Sequence, residues 1–370
     1  MTDRKKTLIS ILSSFLIVIL IITNNKSLTM KKEKHGNDNK TVKKEKIWKK
    51  PEGNMSSIKI YLDYDLNKII TSKEEINDNY KYLNEYKCLD SSCTVLDYNI
   101  NNNHIIIKDN DYVIYDYKTN LYKKIVNIDN DCLDVKLLYF ENKDYGLALK
   151  DQTNNYAFYS FKENKVTTEY IYNDILTNEA SYLNNCFIAT TILDNKTTYN
   201  IVNYSNNTII GESDSKIKSI GNKNVYYYLE ENERFKFYKD NFQEINGNDT
   251  YTLYGITSMG NLVVSKDNIS FAIYNKNGKL IKESKPYKQI YAIIDKYIIV
   301  NDNDNELKII DFDSNIIKKI LPLNDSIDFV SGEYKNNIIY IDIFNKLESK
   351  HIKYSYSLKD KTLKKQEYLT

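Results

Sequence analysis

Apolar runs of four to seven residues, separated by polar clusters rich in Asn, Asp and Lys, recur from about residue 58 to the end of the chain. The clearest pair lies in Phe271–Ser284, where two such runs flank Asn277-Gly278. That dipeptide readily supplies the two left-handed residues of a type I′ hairpin turn. Weaker copies of this hairpin open at Tyr112, Tyr156, Tyr199, Phe235, Leu307 and Tyr354, at intervals of about 36 to 47 residues. Their turns carry Asn or Asp in place of Gly, as at Asn120, Asn164, Asn206-Asn207, Asp240-Asn241 and Asp360. Both residues tolerate the left-handed region and hydrogen-bond their own backbone, so a turn-rich chain needs few glycines.

A further run sits between successive hairpins: Val135–Phe140, Phe187–Leu193, Val225–Glu230, Leu262–Ser265, Tyr297–Val300 and Ile338–Phe344. These runs are too short for helices and rich in β-branched and aromatic residues, which predicts strands. Many are apolar at consecutive positions, the pattern of strands covered on both faces. About four strands in each repeat of this length is the signature of a β-propeller blade; a β-sandwich or β-solenoid also presents short strands at regular spacing. Ile58–Ile70 reads as one more hairpin. The expectation is an all-β propeller of seven or eight blades, leaning to seven, with this N-terminal hairpin contributing to the closing blade. Lys73–Tyr82 reads as a short helix or a loop.

Residues 1–25 follow a different pattern. Arg4, Lys5 and Lys6 precede an uncharged run, Thr7–Asn25. As a helix that run would span roughly 28 Å, enough to cross a bilayer core. It shows no small-x-small cleavage site and no Cys at its end, so a single-pass signal-anchor is favoured over a cleaved signal peptide. Residues 26–57 are charged and poor in apolar positions, the composition of a basic, disordered tether; residues 58–370 form the propeller domain. The lysines after the span argue for a cytoplasmic C-terminal side under the positive-inside rule. The very short N-terminus argues for an exported one, and the reading adopted is an extracytoplasmic propeller at the cell membrane.

The stretch Phe271–Asn301 resembles the WG-repeat family of bacterial surface and secreted proteins. It shares an Asn-Gly-Lys turn, the apolar pair Leu280 and Ile281, and Tyr287 followed three residues on by Ile290; Tyr172 and Ile175 repeat that last spacing. The Trp-Gly dipeptide that names the family is absent, and the one tryptophan is Trp48 in the tether. The resemblance implies a repeat β architecture and an interaction role, and it carries over no catalytic residue.

Composition narrows the function. The chain has 52 basic and 50 acidic side chains. The basic excess lies in the first 50 residues and the remainder is acidic, which excludes the basic footprint of a nucleic-acid-binding domain. Cys88 and Cys93 are spaced to close a small disulfide loop in an exported protein, whereas Cys132 and Cys186 stand apart and no zinc-type spacing is present. His35, His104 and His351 are scattered. Asp129–Asp134 and Asn301–Glu306 alternate carboxylates without the glycine and terminal glutamate of a calcium loop, and read as inter-strand turns. The 34 tyrosines suit sugar or peptide contacts, and a bias toward AT-rich codons, which Asn, Lys and Ile share, accounts for the excess equally well. No catalytic, cofactor-binding or metal-binding set is visible. The function expected is a membrane-anchored binding module for a protein, peptide or glycan. The alternatives are a propeller hydrolase or lyase of polysaccharides and a scaffold facing the cytoplasm.

Overall fold

The computed structural model describes residues 48–53, 56–72, 79–128, 132–245, 247, 249–312 and 315–369. These form eight antiparallel sheets, six of four strands and two of three. In chain order they occupy residues 56–88, 94–124, 134–166, 174–213, 218–238, 252–283, 289–322 and 327–369. Each four-stranded sheet is a meander whose strands lie side by side in sequence order.

Most predicted hairpins are the last two strands of a sheet. Tyr199, for example, lies in Lys196–Asn203, which pairs with Thr208–Ser213, and Leu307 lies in Glu306–Asp311, which pairs with Ile316–Pro322. The intervening runs supply earlier strands, with Leu262–Ser265 a strand over its full length.

The sheets stack face to face through seven apolar cores, each joining one sheet to the next. The period-two alternation of a strand explains the consecutive apolar positions. Ile105 and Ile107 pack toward the first sheet, while Ile106 between them packs toward the third. Leu262 and Val264 face the fifth sheet, and Val263 faces the seventh.

The last sheet departs from this pattern. Ile339, Ile341 and Ile343 are buried against the seventh sheet. The alternate residues Tyr340, Asp342 and Phe344 are not buried and lie beside Ser355, Lys353 and His351 on the next strand. Among the described residues, no apolar core joins this sheet to the first.

Several expectations meet a different outcome. The N-terminal hairpin does not complete the last sheet: Ser56–Asp63 is the central strand of its own sheet, between Lys68–Ser72 and Tyr80–Cys88. The last sheet takes its fourth strand, Thr362–Leu369, from the segment that follows Lys350–Ser357, so the place expected for the N-terminal hairpin is filled. The helix or loop expected over Lys73–Tyr82 falls mostly on 73–78, outside the described residues, and Tyr80 onward is strand.

The tether's far end is also part of the fold. Lys49 exchanges two backbone hydrogen bonds with Tyr122, at 2.8 and 2.7 Å, and covers the edge of the second sheet. Trp48 stacks on His104 with ring centroids 5.8 Å apart. An edge strand leaves N–H and C=O groups unpaired, and this segment satisfies them.

A further correction concerns the turn at Asn277-Gly278. Only Gly278 has a positive φ (+72), and its N–H donates to the Asn275 carbonyl at 2.9 Å. The register slips by one residue at Ile273/Tyr274. This is a type I turn closed by a glycine bulge. Pairs with both φ positive occur instead at Asp194-Asn195, Asn232-Glu233 and Asn336-Asn337, each a two-residue loop between paired strands.

The transmembrane segment expected over residues 1–25 lies outside the described residues. Among the described residues, no helix is long and apolar enough to cross a membrane.

Candidate functional site

The first strands of the second, third and fourth sheets stand side by side and wall a cleft of about 520 Å³. Thr94–Asn99 contributes Asp97, Asp134–Phe140 contributes Asp134 and Lys136, and Asp174–Ile175 contributes Asp174. Glu179 and Lys216 complete its charged lining. These strands have a neighbouring strand on one side only, and Leu96, Val135 and Ile175 from them line the cleft beside the charged groups.

Each carboxylate is held by a protein donor. Asp97 accepts from the backbone N–H of Leu137 at 2.6 Å and of Tyr98 at 2.8 Å, which ties the second sheet to the third. Burial raises its pKa against those two hydrogen bonds, and the neighbouring Asp134 charge adds to the rise. Asp134 accepts from the Tyr156 hydroxyl at 2.8 Å. Asp174 accepts from Lys136 Nζ at 2.7 Å, and that ammonium lies 4.6 Å from the Tyr156 ring centroid. Burial opposes the charge on Lys136, but its hydrogen bonds to Asp174 and Tyr156 outweigh it and leave the pKa raised.

Glu179 is the most enclosed of the set, at 8% exposure. Its Oε2 accepts from both the backbone N–H and the hydroxyl of Ser219, each at 2.7 Å. Burial pushes its pKa up to about 7; the Ser219 hydrogen bonds and the more distant Lys216 and Lys218 pull the other way.

The residues singled out in the sequence lie elsewhere. Cys88 and Cys93 are brought together at the end of the first sheet, their Cα atoms 5.7 Å apart. Buried Asp109 fixes that corner, accepting from the Tyr86 hydroxyl at 2.8 Å and from Leu89 N at 2.7 Å. Cys186 is buried and its thiol donates to the Asn184 carbonyl at 3.6 Å. His104 pairs with Asp144, and His351 lies 3.0 Å from Asp342. Part of Asp129–Asp134 is outside the described residues. In Asn301–Glu306, the carboxylates of Asp302, Asp304 and Glu306 gather around the buried ammonium of Lys308. Among the described residues, no group of three or more His, Cys, Asp or Glu side chains is placed to hold a metal ion.

The sequence reading missed the cleft because its strands are the least apolar of each sheet. Asp174–Ile175 is two residues long. The one signal available was polar residues at alternate positions ahead of an apolar run, as in Asp134 and Lys136 before residues 137–140.

The fold and cleft define an all-β protein built from repeated antiparallel meanders. No family model matches the sequence, and no curated protein matches it. Several solved structures are similar at low identity. Chaetomium thermophilum Raptor is 10% identical with a TM-score of 0.30, covering 65% of this chain and 26% of that one. BamB from Moraxella catarrhalis is 11% identical with a TM-score of 0.27, covering 80% and 96%. The Swd1 β-propeller domain of Myceliophteria thermophila is 10% identical with a TM-score of 0.31, covering 66% and 88%. These superpositions are loose, and the fold described above rests on strand order and packing alone.

Proposed function

We propose that this chain is a membrane-anchored, extracytoplasmic binding module, with eight propeller-type blades presented on a tether. In this reading residues 1–25 anchor the chain and the tether that follows holds the domain off the bilayer, with Trp48 and Lys49 docked on the second sheet. The cleft across the first strands is the surface offered to a protein, peptide or glycan. The observation that carries the reading is the state of the cleft's charges. Asp97, Asp134, Asp174 and Glu179 are each fixed by a hydrogen bond from the protein, which makes a preorganised polar surface. An exported position also suits the juxtaposition of Cys88 and Cys93, since disulfides persist in oxidising compartments.

The test is protease treatment of intact cells carrying the full chain with a C-terminal tag, with lysed cells as control. Loss of the tag without lysis is expected. Protection until lysis would overturn the extracytoplasmic placement and favour the cytoplasmic scaffold.

One observation favours a polysaccharide hydrolase or lyase as the second reading. Glu179, with a pKa near 7, shares the cleft with carboxylates, the pairing a general acid requires. Release of reducing ends from an acidic or neutral polysaccharide, lost in Glu179→Gln, would establish it; turnover unchanged by that substitution would exclude this cleft.

A further inference from the structure

A second cavity, of about 430 Å³, lies between the third and fourth sheets, away from the strands that wall the cleft. It is built from the ends of apolar strands. Tyr145 belongs to Lys143–Lys150, Phe161 follows Tyr156–Ser160, and Tyr204 follows Lys196–Asn203. The 3-10 turn Ala180–Asn184 brings in Tyr182, and its left-handed cap Asn185 (φ 60) turns the chain back.

The aromatic side is ordered by stacking. The Tyr145 and Tyr182 rings lie 5.2 Å apart at an interplanar angle of 15°. Tyr145 is only 6% exposed, and its buried hydroxyl has no hydrogen-bond partner among the described residues. An unpartnered buried phenol is costly, and a polar ligand group is one way to satisfy it.

The polar side is cationic. Lys143 Nζ sits 5.0 Å from the Tyr182 ring centroid. Lys162 Nζ donates to Asn185 Oδ1 at 3.1 Å, and the Tyr204 hydroxyl donates to the same oxygen at 3.2 Å. Among the described residues neither ammonium forms an ion pair. The one carboxylate in the lining, Asp144, is engaged with the second sheet: it accepts from Asn99 at 2.7 Å and Asn102 at 2.8 Å, and pairs with His104.

Aromatic walls match the C–H faces of a sugar ring, and two ammonium groups outside any ion pair favour an anionic substituent, against the nearby charges of Glu141 and of Glu163, which is paired with Lys165. The volume accommodates one or two such rings. We propose that this cavity binds an acidic saccharide, a sugar ring carrying a carboxylate or phosphate, with Lys143 and Lys162 taking the anion and Tyr182 and Phe161 lining the ring. The inference concerns a cavity separate from the cleft and holds whichever side of the membrane the domain occupies.

The experiment is calorimetric titration of the full chain in detergent with digalacturonate, glucose 6-phosphate, glucose and adenosine monophosphate, at two salt concentrations. At least one acidic sugar is expected to bind saturably, about tenfold tighter than glucose, and more weakly at high salt. The double substitution Lys143→Ala/Lys162→Ala changes two exposed side chains and should leave the melting temperature in place while removing that tenfold preference. Tyr182→Leu should weaken binding of acidic and neutral sugars alike. No saturable binding of either acidic sugar, a preference surviving the double substitution, or tighter binding of the nucleotide than of both sugars would each overturn the proposal.

Discussion

At the scale of the residue, asparagine does much of what glycine does in other turn-rich proteins. Most described non-Gly residues with positive φ are Asn, among them Asn120, Asn164 and Asn207 at turns read directly from the sequence. A left-handed conformation costs an ordinary L-residue roughly 1–2 kcal/mol. Asn195→Ala, in a two-residue loop, is therefore expected to lower unfolding stability by about 1 kcal/mol, while Asn195→Gly stays near neutral; urea denaturation compares the two. Glu179 makes a second, pH-dependent prediction. Its folded pKa of about 7 lies above the ordinary carboxylate value, so the folded state holds the proton more tightly than the unfolded chain. Stability then falls as pH rises from about 4.5 to about 7 and is lowest above that window, by roughly 3 kcal/mol in total. Glu179→Gln should remove this slope and raise the melting temperature at pH 8 relative to the unsubstituted protein. A slope unchanged in the variant would show that another group titrates there.

At the scale of the element, legibility followed burial. Strands covered on both faces, such as Leu262–Ser265 and Tyr297–Asn301, are continuous apolar runs and stood out in the sequence. First strands such as Thr94–Asn99 and Lys218–Gly221 are half exposed and mixed in polarity, and went unread. The turn type at Asn277-Gly278 was misjudged for a related reason. Dipeptide preference names a left-handed residue, but the bulge at Ile273/Tyr274 decides how many the loop requires. The last sheet offers a clean contrast between its faces. Ile341→Ala, on the face packed against the seventh sheet, should cost about 2–5 kcal/mol. Lys353→Ala, on the other face, should stay within about 0.5 kcal/mol. Equal losses would mean that something covers the outward face.

At the scale of the whole molecule, eight sheets and seven consecutive cores make stability a sum of neighbouring interfaces, as in other repeat arrays. Exchange of buried amides is then expected to be slowest in the middle sheets and faster in the first and last. Uniform protection across all eight would argue for a single closed unit. The cysteines test compartment and fold together: in the exported protein, a thiol reagent under denaturing conditions should label Cys132 and Cys186 alone, with Cys88 and Cys93 joining them only after reduction. Labelling of every cysteine without reduction would remove the disulfide and the main chemical support for export.

Local pattern was enough to determine the all-β class, the repeat length, most buried strands and the use of Asn in turns. Each depends on residues near one another in the chain and on an alternation that burial imposes strand by strand. Tertiary structure alone decided the rest. It set the N-terminal hairpin in a sheet of its own, docked Lys49 on the edge at Tyr122, and gathered Asp97, Asp134, Asp174 and Glu179 along one cleft. Those side chains come from different sheets, and a chain's periodicity carries no record of which neighbour a sheet's first strand will face.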